Sequence, residues 1–200
     1  MKNHTALPTT LLFLICTAGS ASAGDIMLEN ARAEECSRDA KQATLGMPVP
    51  HDALEICTLA LQESSLLTKD EVAVHVDRAV LYLLAHEFAK TQADLDAAMA
   101  LDPQQPKIYI NLGALRIEQH RDKAALEALD HSIALGLAGE ETKIAYFNRG
   151  LARENLGDLK GAYKDYKMAA SLDPDWELPK TELSRFKVAP APARGKIETQ

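Results

Sequence analysis

Apolar side chains recur in the middle of the chain at intervals of three and four residues, a spacing that places them on one face of an α-helix. The first series consists of Val72, Val76, Val80, Leu83 and Leu84. The segment Thr68-Lys69-Asp70-Glu71 precedes it and has the pattern of a capping box, in which the threonine and the glutamate bond to backbone amides. A turn near residues 86–88 leads to a second helix that ends at Leu101-Asp102-Pro103. No segment alternates for long enough to predict a strand.

Small side chains recur at matched positions in four consecutive segments, which indicates an internal repeat. In the last segment Ala162, Ala169 and Pro174 follow Gly150 at offsets of 12, 19 and 24 residues. The same offsets give three further sets: Thr91, Ala98 and Pro103 after Ala79; Ala125, Ser132 and Leu137 after Gly113; Ala53, Ala60 and Ser65 after Lys41. The spacing is 34 residues from Ala79 to Gly113 and 37 residues from Gly113 to Gly150.

Each repeat is predicted to be a pair of helices that stacks on its neighbours, because one pair alone cannot bury its apolar face. Gly113 and Gly150 would allow a neighbouring helix to approach closely, so Gly150→Leu is expected to destabilise the fold. A last helix over residues 176–186 is expected to cover the end of the stack. Its two predicted faces are Trp176, Leu183 and Phe186 toward the preceding pair and Glu177, Lys180, Glu182 and Arg185 toward water.

These residues resemble the tetratricopeptide repeat family. Its aromatic, small and terminal proline positions are occupied here by Tyr146, Gly150, Ala162, Tyr166, Ala169 and Pro174. Gly157-Asp158 matches the turn between the helices of that motif, and Asn111-Leu112-Gly113 and Asn148-Arg149-Gly150 resemble a bacterial variant of it. The resemblance covers residues 34–186 and is weakest in the first unit. It implies an all-α superhelix of about four helix pairs plus a C-terminal capping helix, with a protein-binding role and no catalytic activity.

The N-terminus has the features of a secretory signal peptide. The apolar run Leu11–Ala18 is followed by Ala21-Ser22-Ala23, a small-x-small pattern that predicts cleavage after Ala23. A lipoprotein signal at Cys16 is excluded because Ile15 stands where a small residue is required. An ordinary N-terminal helix is the alternative. The expected organisation is a signal peptide over 1–23, a repeat domain over 24–186 and a disordered tail over 187–200, with a periplasmic or secreted location.

Composition narrows the possible functions. The chain has 200 residues, of which 46% are hydrophobic and 5% aromatic, with a net charge of −7. No basic patch suited to phosphate appears, so nucleic-acid binding is not expected. No segment after the signal is apolar over the roughly 20 residues that span a bilayer, so stable membrane insertion is not expected either.

Cys36 and Cys57 remain in the exported chain and predict a structural disulfide. They lie at similar distances before and after the first predicted turn, so antiparallel helices would place them at the same height. A free buried pair is the alternative. A redox-active pair is not favoured, since the chain has no Cys-x-x-Cys motif.

Neither a metal site nor a catalytic site is predicted. The histidines of the exported chain are His51, His75, His86, His120 and His131. They are read as surface or packing residues, because zinc sites usually bring three or four ligands together. Asp130-His131-Ser132 contains the residue types of a catalytic triad, but consecutive helical residues diverge around the axis. No cofactor is expected, and the chain is predicted not to be an enzyme.

The best site hypothesis is a concave groove, which the resemblance places on the first helix of each pair. Its predicted lining is Val76, Val80 and Leu83; Ile110, Ala114 and Ile117; and Phe147, Leu151 and Glu154. Asp77, Asn111 and Asn148 are equivalent in three units and could bond to a ligand backbone. The alternative is that the apolar residues form core between helices and the polar residues are local packing donors. As the only aromatic residue of this lining, Phe147 is the expected hot spot, and Phe147→Ala is expected to weaken binding without unfolding the protein.

The predicted function is therefore a non-catalytic module that binds a protein or peptide, as a helix or an extended segment, in this groove. The alternative function is a self-associating structural or assembly factor of the cell envelope, with the chain as a homo-oligomer. An enzyme or a metal-binding protein is a third and weaker hypothesis.

Overall fold

The computed structural model describes residues 31–62 and 66–186, and in these ranges the chain forms nine helices and no strand. The helices are α1 Ala31–Thr44, α2 Ala53–Ala60, α3 Thr68–Leu84, α4 Phe88–Leu101, α5 Pro106–Glu118, α6 Asp122–Ala134, α7 Glu140–Asn155, α8 Leu159–Leu172 and α9 Glu177–Ser184. The predicted signal peptide over 1–23 and the predicted tail over 187–200 lie outside the described residues. The all-α prediction is confirmed.

The first eight helices form four pairs that stack in chain order. Within each pair the two helices pack on one another, as α3 packs on α4 and α7 on α8. The first helix of each pair also contacts the first helix of the next pair, so α1, α3, α5 and α7 lie side by side. Each pair contacts mainly its neighbours, which is the arrangement of a helical solenoid.

All four pairs turn between their helices in the same way. Gly46, His86, His120 and Gly157 have positive φ angles of 68°, 57°, 55° and 83°. At His86 the backbone amide donates to the carbonyl of Leu83 at 2.9 Å, and the next amide donates to the carbonyl of Tyr82 at 2.8 Å. These two bonds define a Schellman motif, and equivalent bonds occur at the other three turns. The shared turn therefore gives one register for all four units.

Counted from these turns, the glycines of the repeat lie at close helix contacts. A Cβ atom placed on Gly113 would lie 2.5 Å from Cγ of Leu129 on α6. A Cβ atom placed on Gly150 would lie 2.7 Å from Cε1 of Tyr166 on α8. The predicted close approach of the two helices at these glycines is thus seen in units three and four.

The first unit differs from its predicted register. Seven residues before the turn, where the other units have Ala79, Gly113 and Gly150, it has Asp39 and not Lys41. Asp39 is 2% exposed, whereas Lys41 is exposed. The loop before α2 has eight residues, over 45–52, whereas the other inter-helix turns have three, so offsets counted back from α2 displaced the register by two positions.

A disulfide joins the two helices of this first unit. Cys36 on α1 and Cys57 on α2 are bonded, with their Cα atoms 4.9 Å apart and both residues fully buried. The predicted pairing is therefore present. The bond has particular value here because α2 has only eight residues and α1 carries no large apolar side chain.

The last helix, α9, covers the end of the stack. Trp176, Leu178, Leu183 and Phe186 pack against the cluster formed by α7 and α8. Of the residues expected to face water, Glu182 differs from that prediction, whereas Arg185 is exposed. Arg185 forms ion pairs with Glu154 of α7 and with Glu182, and Glu182 has a side chain only 19% exposed. Burial raises the pKa of the Glu182 carboxyl, and Glu154 raises it further.

Candidate protein-interaction surface

The structure brings the predicted groove residues together along α3, α5 and α7, but it does not leave them at an open surface. None of the ten principal residues is more than 6% exposed: they are Val76, Asp77, Val80, Leu83, Ile110, Asn111, Ile117, Phe147, Asn148 and Leu151. Ala114 is also fully buried, and the Glu154 side chain is 23% exposed. The apolar members therefore contribute to packing between the helices in this structure.

Phe147 illustrates this most clearly. Its ring is 2% exposed and its centroid lies 5.5 Å from that of Tyr166 and 5.0 Å from that of Trp176. Truncation of such a buried aromatic side chain costs about 3–5 kcal/mol of folding free energy. The burial of Phe147 argues against the expectation that Phe147→Ala leaves the fold intact, so this variant is not used to separate binding from stability.

A polar column runs through the same buried region. Asp77, Asn111 and Asn148 occupy equivalent positions on α3, α5 and α7 and are at most 1% exposed. The corrected register adds Ser37 of α1 at the same position, and its hydroxyl donates to Oδ2 of Asp77. Ser37 was not predicted because the first unit was aligned on Lys41. Counting back from the Gly46 turn would have found it. The polar column is thus Ser37, Asp77, Asn111 and Asn148.

Beside the polar column, units two and four each have an arginine that links the two helices of its own pair. Arg78 donates from Nε and Nη2 to the two carboxylate oxygens of Asp94, at 2.8 and 2.6 Å. Arg149 makes the same forked contact with Asp165, at 2.9 and 2.8 Å. Both carboxylates are nearly buried, with side chains 5% and 4% exposed. Unit three replaces this ion pair by Leu112 and Ala128 at the equivalent positions.

The same arginines reach back to the preceding unit. Arg78 donates to Oγ1 of Thr58 on α2 at 2.9 Å, and Arg149 donates to Oδ1 of Asp130 on α6 at 2.7 Å. Thr58 and Asp130 occupy equivalent positions on their second helices. Each arginine therefore bridges two units as well as the two helices of its own unit.

The electrostatics follow from these contacts. Burial alone would raise the pKa of the Asp94 carboxyl, but hydrogen bonds from Arg78 and His75 outweigh it and hold the pKa below its usual value. Burial would lower the pKa of Arg149, but its bonds to Asp165 and Asp130 raise it instead. Both ions are therefore charged at neutral pH, and the sites serve to hold the helices in place.

The residues that the sequence offered for catalysis or metal binding do not come together in one site. Asp130 pairs with Arg149, the Ser132 hydroxyl donates to the Pro106 carbonyl at 3.0 Å, and the His131 ring lies against Tyr109. The triad residue types therefore point to three different partners. Within residues 31–62 and 66–186, no three potential metal ligands of the His, Cys, Asp and Glu types come together. No helix in the same ranges is long and apolar enough to cross a membrane.

Comparison with known sequences and folds agrees with this geometry. The sequence model of the family described as tetratricopeptide repeat matches residues 144–176, from within α7 to just beyond α8. The fourth helix pair is a tetratricopeptide repeat. No curated protein matches this repeat protein at a significant level.

Solved structures extend the likeness of fold beyond the fourth unit. The first tetratricopeptide-repeat domain of human RPAP3 is 23% identical, with a TM-score of 0.53, and the match covers 57% of this chain and 87% of that one. The first such repeat domain of Spaghetti (RPAP3), bound to the HSP90 peptide SRMEEVD, is 21% identical, with a TM-score of 0.53 over 60% and 93%. MamA from Desulfovibrio magneticus RS-1 is 17% identical, with a TM-score of 0.55 over 78% and 83%. At these identities the likeness concerns the fold.

Proposed function

We propose that this repeat protein is a non-catalytic interaction module that binds a peptide or helical segment of a partner protein along the concave side of α3, α5 and α7. The observation that carries the proposal is the polar column at equivalent positions of successive units. A similar solenoid, the first repeat domain of Spaghetti, has been solved bound to an HSP90 peptide. The alternative to binding is that the column serves only the packing of the four first helices.

The spacing of the polar column suits a peptide backbone. Packed helices lie about 8–10 Å apart, so consecutive members of the column are separated by a similar distance. An extended chain rises about 3.3 Å per residue, so side chains at this spacing meet every third residue of a bound strand. Amide side chains both donate and accept, so Asn111 and Asn148 could replace the hydrogen bonds that the strand makes with water. Because both are at most 1% exposed in this structure, this contact requires the first helices to move apart on the concave side.

We place this function in the periplasm or outside the cell. The disulfide between Cys36 and Cys57 fits an oxidising compartment, and the sequence pattern of residues 1–23 supports export. N-terminal sequencing of the protein recovered from a periplasmic fraction tests this directly. A mature chain that begins at Gly24 would support the proposal, and a full-length chain found only in the cytosol would contradict it.

The binding test compares two asparagines of the same helix. The chain from Gly24 serves as bait in an envelope extract, and the captured protein is then titrated by calorimetry with wild type, Asn148→Ala and Asn155→Ala. Asn155 is exposed at the end of α7 and lies outside the polar column. A lost hydrogen bond of about 1 kcal/mol weakens binding roughly fivefold. We expect this loss for Asn148→Ala alone. Because Asn148 is fully buried, thermal unfolding of each variant is measured as well, and the affinities are compared at a temperature at which both variants are folded. Wild-type affinity in both variants would refute binding at the column.

Self-association is the second candidate, and exposed leucines at the inter-helix turns favour it. Leu45 is 66% exposed, Leu84 43% and Leu159 55%, and all three lie on the edge where the turns stack. Apolar side chains grouped on one edge are a common feature of interfaces. Light scattering over a range of concentrations tests this, because a monomer mass at every concentration would exclude it.

A further inference from the structure

The outer face of α8 carries a stripe of lysines that has no counterpart in the other units. Lys160, Lys164 and Lys167 are exposed and follow one another at intervals of four and three residues, so they lie on one face over about 10 Å. None of the ion pairs in the described part of the chain involves them, whereas Lys107, Lys143 and Lys180 are each paired with a carboxylate.

This face is uniformly positive although the chain has a net charge of −7. Asp165, the only acidic residue within α8, turns inward to Arg149 and Arg153 and has a side chain 4% exposed. Asp158 precedes the helix and accepts a bond from the Gly161 amide. The stripe therefore has no carboxylate of its own helix to neutralise it.

Exposed apolar side chains occur on the same helix. They are Leu159 at 55% exposure, Met168 at 43% and Leu172 at 46%. A helix surface that combines unpaired lysines with exposed leucine and methionine is suited to contact with a partner that is both acidic and apolar. We refer to Lys160, Lys164 and Lys167, with Leu159, Met168 and Leu172, as the α8 face.

Units two and three do not have three lysines at the positions equivalent to Lys160, Lys164 and Lys167. The residues at these positions are Ala89, Ala93 and Asp96 on α4, and Lys123, Glu127 and Asp130 on α6. Asp130 accepts a bond from the arginine of the following unit. Lys167 stands at the equivalent position in the last unit, where a donor replaces the acceptor. At this position the last unit therefore carries the positive charge of Lys167, whereas unit three carries the carboxylate of Asp130, which pairs with an arginine. A partner with carboxylates complements the charge of Lys167.

We propose that the α8 face docks an acidic amphipathic helix of a partner protein, with carboxylates one helical turn apart and apolar residues beside them. Such a helix matches the lysine interval of four and three residues. A flat anionic membrane fits less well, because it would also meet the acidic remainder of the chain. This surface lies on the second helix of its pair and is separate from the concave side, so the proposal goes beyond the function proposed above.

The probe is a fluorescein-labelled synthetic helix with glutamates at intervals of four and three residues flanked by leucines. Its anisotropy is followed against the full chain at low and at physiological salt. The test variant is K160E/K164E/K167E. The matched control, K41E/K69E/K123E, makes the same charge change at three exposed lysines elsewhere. A peptide of identical composition in shuffled order tests the need for an amphipathic face.

We expect the test variant to weaken peptide binding on the order of tenfold or more, since three exposed ion pairs each contribute a few-fold. The control variant should lose less than threefold, the shuffled peptide should bind several-fold more weakly, and thermal unfolding should be unchanged in both variants. Equal loss in the two variants would show general charge attraction and overturn the proposal. Lysine-dependent binding to vesicles containing phosphatidylglycerol, without peptide binding, would overturn it in favour of a membrane surface.

Discussion

The contact between Gly150 on α7 and the ring of Tyr166 on α8 gives the sharpest stability prediction. A Cβ atom at position 150 would lie 2.7 Å from Cε1 and 2.8 Å from Cδ1 of the ring. Since ordinary van der Waals contact begins near 3.4 Å, the ring would have to move by roughly 0.6–0.7 Å. Leucine would place three more carbon atoms in the same space.

The ring has little freedom to move away. Tyr166 is fully buried, its centroid lies 5.5 Å from that of Phe147, and its hydroxyl donates to Glu154 at 2.9 Å. Overpacking of such a site costs up to about 3 kcal/mol, and the better helix propensity of leucine returns somewhat less than 1 kcal/mol. We therefore expect Gly150→Leu to lower the free energy of unfolding by about 2 kcal/mol, which lowers Tm by about 4–8 °C.

Thermal unfolding followed by circular dichroism measures the effect. Ala89→Leu on the exposed face of α4 adds a large side chain without a contact and should change the stability by less than about 0.5 kcal/mol. Tyr166→Ala should cost less in the Gly150→Leu background than in the wild type, because leucine then fills part of the space that the ring leaves. An unchanged midpoint for Gly150→Leu, or additive effects in the double variant, would refute the proposed contact.

Three further predictions concern the disulfide, one turn and one ion pair. Cys36→Ala/Cys57→Ala should lose about 3 kcal/mol of stability, and peptide mapping without reductant should recover the two cysteines in one cross-linked product. His120→Gly should raise Tm by about 2–4 °C, because glycine relieves roughly 1 kcal/mol of cost at a φ of 55°; a fall in Tm would contradict this. Because folding lowers the pKa of Asp94, the ionised carboxylate stabilises the fold at pH values above the unfolded pKa of about 3.9. This contribution is lost as the pH falls through the folded pKa. The stability gap between wild type and Asp94→Asn in urea should therefore be full at pH 7 and shrink below pH 4, whereas a gap independent of pH would show that the charge is not responsible.

The sequence was sufficient to predict the helical hairpins because their signals are local. The interval of apolar residues defines each helix, and the recurrence of Ala79, Gly113 and Gly150 fixes the register of three units. The disulfide followed from the same reasoning, since two cysteines that flank one turn meet when the helices are antiparallel. These predictions depend only on spacing within a unit.

The parts that were not predicted depend on loop length and on contacts between different helices. The register of the first unit failed because a longer loop separates its helices, and Ser37 was missed with it. The forked pairs of Arg78 and Arg149 join residues 16 positions apart in the chain, which helical periodicity does not reveal. The burial of Phe147 depends on Trp176 and Tyr166, two residues that lie beyond its own helix.

The arginine bridges between units also determine how an array of this kind can be lengthened. A unit that carries the arginine of α3 or α7 requires an acceptor on the second helix before it, and Thr58 and Asp130 meet that requirement. Asp96 is a carboxylate at the equivalent position of unit two, so a duplicated arginine unit could follow there. Lys167 would repel the same arginine. A further arginine unit is therefore compatible with the interior of this array, whereas after α8 it would require an acceptor in place of Lys167 and the displacement of α9.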